Sequence, residues 1–451
     1  MLRRVAVTLG WATVVTVVFR WYELALRVQG LLLWTAAFLA LYLASAAALH
    51  GSAVRERWKD VWRPAVIISA FVVVVWIAHT LWPVVRVGPL RVPASLFVSL
   101  LDVGLATWIL VRAMLLTWTG AGRWIALGAI VPYGVLTTWL ISVRMPGQSH
   151  EGALPPATPA EVALAEALQG HVHALATEIG PRNDDYMPQL DSAGRYIVRQ
   201  LDSMGYAARE LPFDAARLRF RNIEVSLAGG DHPEEIVVVG AHYDTAGDTP
   251  GADDNASGVA GLLELARRLR GARLSRTVRL VFFANEEPPF FNTEGMGSRV
   301  YAREAAARGD RLVAVLSLET IGFYDPAPGS QRYPFPFSLF YPDRGDFIGF
   351  VGNVSSTPLV RRSLAAFRGA ARFPSQGVAA YGFIPGVWWS DHASFWRHGY
   401  PAIMVTNTAP YRNRNYHETS DTTGTLDYDR FARVVEGLDG VVRDLAGSGG
   451  S

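Results

Sequence analysis

The chain has 451 residues, half of them apolar, and no cysteine, which excludes both a disulfide scaffold and a zinc site built on thiolates. Its formal net charge of +2 conceals an uneven distribution: residues 1–150 hold 13 Arg or Lys against 4 Asp or Glu, whereas residues 151–451 hold 29 against 36. An acidic second part without a basic stripe leaves nucleic-acid binding unsupported.

Eleven of the 14 tryptophans also fall in the first 150 residues, within or beside five apolar segments at 5–19, 31–49, 64–85, 93–118 and 124–143. A helix crossing the hydrocarbon needs about 20 mostly apolar residues. The last four segments meet that length and the first, with 15 residues, is short. The expectation is a membrane region of about five transmembrane helices over 1–144. The competing reading of 5–19, behind Arg3 and Arg4, is a signal peptide, but no small-residue cleavage site follows it. If all five segments cross, Arg3, Arg4, Arg55, Arg57, Lys59, Arg63 and Arg123 lie on one side, against Arg20, Arg27, Arg86, Arg91 and Arg144 on the other. That bias favours a cytoplasmic N-terminus and an integral membrane protein whose second part is extracytoplasmic.

Residues 145–157 (MPGQSHEGALPPA) are rich in Pro and Gly and read as a linker. Thr158-Pro159-Ala160-Glu161 combines a cap, a first-turn proline and the acid of a capping box, so a helix should start there and run to about Ile179. A second helix is expected over 190–204, with strands around 207–213 and 222–227. Strands and helices then alternate to residue 446, which predicts one α/β domain over 158–446 with a mostly parallel central sheet flanked by helices, ahead of a Gly/Ser tail at 447–451. The segment 324–353, aromatic and Pro-rich, reads as too irregular for a core element. It either lines a pocket over the site or packs only against its own domain.

The stretch 240–258, GAHYDTAGDTPGADDNASG, lies between an apolar run at 236–239 and a helical pattern at 259–269. A histidine and several carboxylates this close suggest a metal, although Asp-Asn-Gly clusters also simply make turns. The next apolar runs, 278–284 and 312–318, end in Asn285-Glu286-Glu287 and in Glu319. Continuous apolar runs read as strands buried on both faces of a parallel sheet, and acids at their ends converge at its carboxyl edge. Three strands would thus bring His242, Glu286, Glu287 and Glu319 to one rim.

Six pieces, HYD at 242–244, GADDNASG at 251–258, NEE at 285–287, LETIG at 318–322, SDHASF at 390–395 and YHETSDT at 416–422, occur in the order found in the M28 family of zinc aminopeptidases, which the chain resembles over roughly 160–440. The resemblance implies a zinc-peptidase-like fold and a pair of zinc ions acting on a peptide substrate. It implies His242, Glu287, Glu319 and His417 as terminal metal ligands and Asp253 as the bridge between the ions, with a cis peptide bond between Asp253 and Asp254. Glu286 matches the general base, Asp244 the partner of His242, and Tyr416 a residue beside the reacting carbonyl. Asp391 and His392 fall to substrate binding. One departure stands at Glu319, where many family members carry Asp: the longer side chain must fold back to reach the metal.

Two zinc ions about 3.5 to 4 Å apart can share one water and clamp a carbonyl oxygen as charge develops on it. Successive side chains in extended backbone diverge, so of the neighbours Glu286 and Glu287 one can bind metal while the other acts as base. The expected activity is amide hydrolysis, and preference for a free amino terminus rests on the resemblance. Two other readings compete: a single-zinc acyltransferase like the glutaminyl cyclases, and a non-enzymatic receptor on a peptidase fold, which would be expected to have lost ligands or base. Phe290, Phe291, Trp388 and Trp389, next to site motifs, suit an apolar substrate side chain or ordinary core packing.

Overall fold

The computed structural model describes residues 143–447, apart from 335, 336 and 383, together with two short strands near residue 90. These strands, Val84–Val87 (β1) and Leu90–Pro93 (β2), pair antiparallel. The five apolar segments otherwise lie outside the described residues. Among the described residues no helix is long and apolar enough to cross a membrane.

The chain divides into two compact units, and the second spans Ser142–Ser451. Its first helix, Pro159–His173 (α1), begins as the sequence predicts. The Thr158 side chain accepts from the Glu161 N–H while Glu161 accepts from the Thr158 N–H, with Pro159 in the first turn. The helical path widens over Ala174–Ile179 and ends at Gly180, whose φ of 79° suits only glycine readily. Helix α2, Met187–Ser203, starts three residues earlier than expected and buries Leu190, Ala193, Ile197 and Leu201, an i, i+3, i+7 stripe.

Eight further strands form one sheet: Arg209–Ala215 (β3), Leu218–Leu227 (β4), His232–His242 (β5), Arg276–Phe283 (β6), Arg311–Glu319 (β7), Ile348–Asn353 (β8), Ser375–Ala380 (β9) and Ala402–Thr406 (β10). Their order is β3-β4-β6-β5-β7-β10-β8-β9. The four central strands β6-β5-β7-β10 run parallel, as expected. The sheet is nevertheless mixed, because β3, β4 and β6 pair antiparallel and so do β10 and β8. The β3–β4 hairpin turns through Ala216 and Arg217, both at positive φ (49° and 68°), the backbone of a tight primed turn that short-range pattern did not signal.

Helices α3 (Gly258–Leu269), α4 (Gly297–Arg308), α5 (Thr357–Ala370), α6 (His392–Trp396) and α7 (Tyr428–Ala446) complete the unit. The main core packs Val237, Val239 and Ala241 of β5 with Leu262 and Leu265 of α3 and Phe431, Val435 and Leu438 of α7. A second cluster on the opposite face joins Val238, Phe283, Tyr301, Val315 and Phe395. The sheet is therefore covered on both sides, which explains why β5 and β7 read as unbroken apolar runs.

The segment 324–353 is not wholly irregular. Its last six residues are β8, buried throughout and paired with β10 and β9, and Gly352 leaves room for Val360 of α5, whose Cγ2 a Cβ there would meet at 2.7 Å. The part before β8 is a loop with one short 3-10 turn, Phe337–Leu339.

Candidate metal and catalytic site

Register fixes the site. His242, the last residue of β5, pairs with Phe283 at the end of β6, and Glu319, the last residue of β7, pairs with Thr406 at the end of β10. Parallel strands ending level deliver their next side chains to one rim, the place where open α/β sheets hold ligands. The backbone around that rim is constrained: Asn285 (φ 60°), Thr320 (φ 51°) and His417 (φ 60°) all lie in the left-handed region. For a β-branched threonine that conformation is costly and persists only where surrounding contacts impose it. Thr320 N–H donates to Asn255 Oδ1 (3.1 Å), and its hydroxyl donates to Glu319 O (2.6 Å).

Asp254 stands at the centre. Its Oδ1 lies 3.3 Å from His242 Nε2 and its Oδ2 lies 3.1 Å from His417 Nε2. His242 Nε2 is also 3.4 Å from Glu319 Oε2, and His417 Nε2 is 3.1 Å from Glu287 Oε1. Two groups result, His242–Asp254–Glu319 and Asp254–Glu287–His417, with ligand atoms in each within 4.8 Å of one another; a third, His242–Glu286–Glu287, meets the same limit. One carboxylate shared between two such groups is the arrangement of a bridging ligand.

The sequence reading expects the bridge at Asp253, whereas the carboxylate that faces both histidines is that of Asp254. Asp253 points away from the cluster: Oδ1 accepts from the Gly322 and Phe323 N–H groups (2.9 and 3.1 Å), and Oδ2 from the Asn407 and Asn413 amides (2.8 and 3.1 Å). Its acceptor capacity is used by this framework. The cis peptide bond also falls one residue later than expected, between Asp254 and Asn255. Asp421 holds the doublet from behind, accepting from the Asp253 and Asp254 N–H groups (each 3.0 Å). Gly251 lets the loop close, because a Cβ there would stand 2.3 Å from Asp254 O and its φ is +61°.

Asp244 has two functions. Its Oδ1 lies 3.4 Å from His242 Nδ1, in reach of the ring nitrogen facing away from Asp254. Its two oxygens also accept from the Glu286 and Glu287 N–H groups (3.1 and 3.0 Å). One buried carboxylate thus orients a histidine and the turn carrying two glutamates. Glu319, the longer side chain, is fixed by Ser390, whose hydroxyl donates to Oε2 (2.7 Å) and contacts Ser317 Oγ (3.0 Å). Tyr416 lays its ring on the His417 imidazole, with centroids 3.9 Å apart and planes 18° from parallel.

Burial sets the electrostatics. It pushes the Glu286 carboxyl well above the usual range and Glu287 up to about 7, the Asp254 charge adding to the latter. Glu319 is raised by burial as well. Asp254 goes the other way: burial would raise it, but the His242 and His417 rings outweigh that and hold it well below the carboxylate range. His417 is raised to about 10, its burial outweighed by Asp254 and Glu287. The phenol of Tyr416 is raised well above its ordinary value by burial and then by Asp254 and the glutamates.

Asp391 and His392 are fully buried. Asp391 lies close enough for its charge to act on Glu286, and burial raises it to about 7. His392 has its Nε2 2.8 Å from Val387 O and sits edge-on to Trp396 at 4.7 Å. It packs below the rim, contrary to the expected place in substrate binding, because α6 carries it into the core.

The donor set fits zinc. Imidazole nitrogens and carboxylate oxygens suit that ion. Both oxygens of Asp254 are buried without a hydrogen bond, although a histidine nitrogen stands within 3.3 Å of each. Buried polar atoms so arranged are expected to be satisfied by something else. Beside the cluster lies a cavity of about 110 Å³, bordered by Glu319 and Tyr416 and walled by Phe350, Val351, Met404 and Trp389. Tyr333, Pro334, Phe337 and Tyr341 of the loop before β8 also line it, so that loop does line a pocket.

Asp254, Ser390 and Asp421 were not assigned by sequence reasoning. Each stood inside a quoted motif, so the signal was present without the orientation. Asn407 and Asn413 carried no such signal.

Residues 222–441 match peptidase family M28. The uncharacterized protein YfbL of Escherichia coli (strain K12) is 40% identical over 320 residues, covering 68% of this chain and 96% of that protein. A probable leucine aminopeptidase of Arthroderma otae is 27% identical over 234 residues, 47% of this chain and 54% of that protein, so the chain spans about half of that relative's length. BSAP, a zinc aminopeptidase from Bacillus subtilis, superposes with a TM-score of 0.50 at 13% identity, covering 62% of this chain and 94% of that one, a likeness of fold. The chain belongs to peptidase family M28.

Proposed function

We propose that this zinc metallopeptidase holds two zinc ions and removes residues from the amino terminus of peptides. The observation that carries the two-ion reading is the position of Asp254, each of whose oxygens faces a different histidine with its own glutamate. His242 and Glu319 would hold one ion, His417 and Glu287 the other, with Asp254 between them. Bound zinc would supply Lewis-acid polarisation of the scissile carbonyl and acidify the attacking water.

The chain's own residues supply the rest. Glu286 binds neither histidine in ion-pair reach and projects from the turn that Asp244 fixes, so a carboxylate oxygen is free to take the proton of the attacking water and return it to the leaving amine. The Tyr416 phenol, whose ring lies on His417 and borders the cavity, can donate to the carbonyl oxygen as charge grows there. Asp244 keeps the His242 ring in one orientation. The apolar cavity beside Glu319 and Tyr416 takes the first side chain of the peptide.

The names of relatives such as the probable leucine aminopeptidase support the exopeptidase reading. Zinc content measured alongside hydrolysis of aminoacyl and N-blocked peptides tests it. Two equivalents with cleavage of free amino termini only are expected; one equivalent with cyclisation of amino-terminal glutamine would establish the cyclase reading instead. The five apolar segments and their flanking charges support membrane anchorage with the peptidase unit outside the cytoplasm. Protease accessibility of the C-terminus in intact cells tests this, and protection would overturn it.

A further inference from the structure

The loop after Glu287 and the segment before Ser390 meet through aromatic rings. Phe291, whose N–H donates to Glu287 O (3.1 Å), stacks on Trp388 with centroids 5.6 Å apart and planes 28° from parallel. Trp388 meets Trp389 edge-on at 6.4 Å, and Trp389 stacks on Tyr411 at 6.4 Å with planes 7° apart. The rings form a continuous wall from the glutamates to the cavity. Trp389 and Tyr411 line the cavity, whereas Phe291 and Trp388 do not. Both Phe291 and Trp388 are only half-buried, so this pair is not explained as core packing.

We propose that Phe291 and Trp388 form a second subsite, selecting an aromatic or large apolar residue at the second position of the peptide. The inference rests on the aminopeptidase reading. A carbonyl held at the metal-ligand cluster has two substituents that leave it in opposite directions. If the first residue's side chain occupies the cavity on the Glu319 side, the continuing chain passes on the Glu286–Glu287 side, where Phe291 is tied. A ring pair there presents flat apolar surface to the next side chain, and a further ring adds an interaction of about 0.5 to 1.5 kcal/mol beyond area burial. That corresponds to a preference of roughly 2- to 12-fold.

The test uses the full-length protein and a series of dipeptides with leucine first and glycine, leucine or phenylalanine second. Leu-Phe should exceed Leu-Gly in kcat/KM by at least the lower of those factors, mainly through KM. Trp388→Leu and Phe291→Leu should each bring the Leu-Phe to Leu-Gly ratio towards one. Trp388→Phe, which keeps a ring, should preserve most of it. An equal ratio in the unaltered protein, or variants that lower both substrates alike, overturns the second subsite while leaving the aminopeptidase reading intact. No cleavage of any dipeptide with a free amino terminus overturns both.

Discussion

Asp253 and Asp254 are adjacent, yet their carboxylates serve different structures: the first is enclosed by two backbone N–H groups and two side-chain amides, the second by two histidines. Their substitutions should therefore separate. Asp254→Asn removes the anion shared by both metal groups and should abolish zinc retention and activity together. Asp253→Asn weakens a buried framework of charge-assisted hydrogen bonds, each typically worth about 1.5–3 kcal/mol, and should lower the unfolding temperature while zinc remains in the folded fraction. Elemental analysis and thermal unfolding of both variants check this; zinc lost from Asp253→Asn and kept by Asp254→Asn would return the bridge to Asp253.

Glu286 and Glu287 should also fail differently. Glu286→Gln keeps size and removes the basic oxygen, so zinc should stay while kcat falls by about 10²- to 10⁴-fold, the usual contribution of general base catalysis. Glu287→Gln takes an anion from the His417 group, and metal affinity should drop along with activity. Equilibrium dialysis against zinc, with steady-state kinetics, distinguishes the two. Reversal of the pattern would mean that the neighbours exchange roles.

The central strands were legible because burial on both faces leaves unbroken apolar runs, and the acids at their ends marked the rim: His242, Glu286, Glu287 and Glu319 meet there. His417 joins them through its motif rather than through any periodicity. The edges were less legible. β8 hid in a Pro- and aromatic-rich stretch because its pairing with β10 and β9 is decided by partners distant in sequence. The choice between Asp253 and Asp254 could not be read locally either. Which of the two faces the histidines depends on Asn407 and Asn413, about 150 residues away in sequence, whose amides donate to Asp253.

Removing the metal should destabilise the fold as well as stop the reaction. Asp254, Glu286, Glu287 and Glu319 are all buried within one rim, and a ligand bound only by the folded state stabilises it by about 2.7 kcal/mol at 100-fold excess over Kd. Dialysis against a chelator should lower the unfolding temperature by several degrees, and added zinc should restore both temperature and activity. An unchanged melting curve after verified zinc removal would count against a metal held by these buried groups.

Glu319 offers the most local test of how the longer acid is accommodated. A glutamate at the end of β7 has one more rotatable bond than an aspartate, and the Ser390 hydroxyl 2.7 Å from Oε2, itself beside Ser317, restricts that freedom. Ser390→Ala leaves the ligand set intact and removes only this constraint, so metal affinity or activity should fall by about 10- to 100-fold, as for other groups that orient a ligand from behind. Glu319→Ala should be more severe, because it deletes the carboxylate facing His242. Zinc titration of the two variants provides the comparison. Ser390→Ala binding zinc as tightly as the unaltered chain would show that the glutamate finds its geometry without the serine.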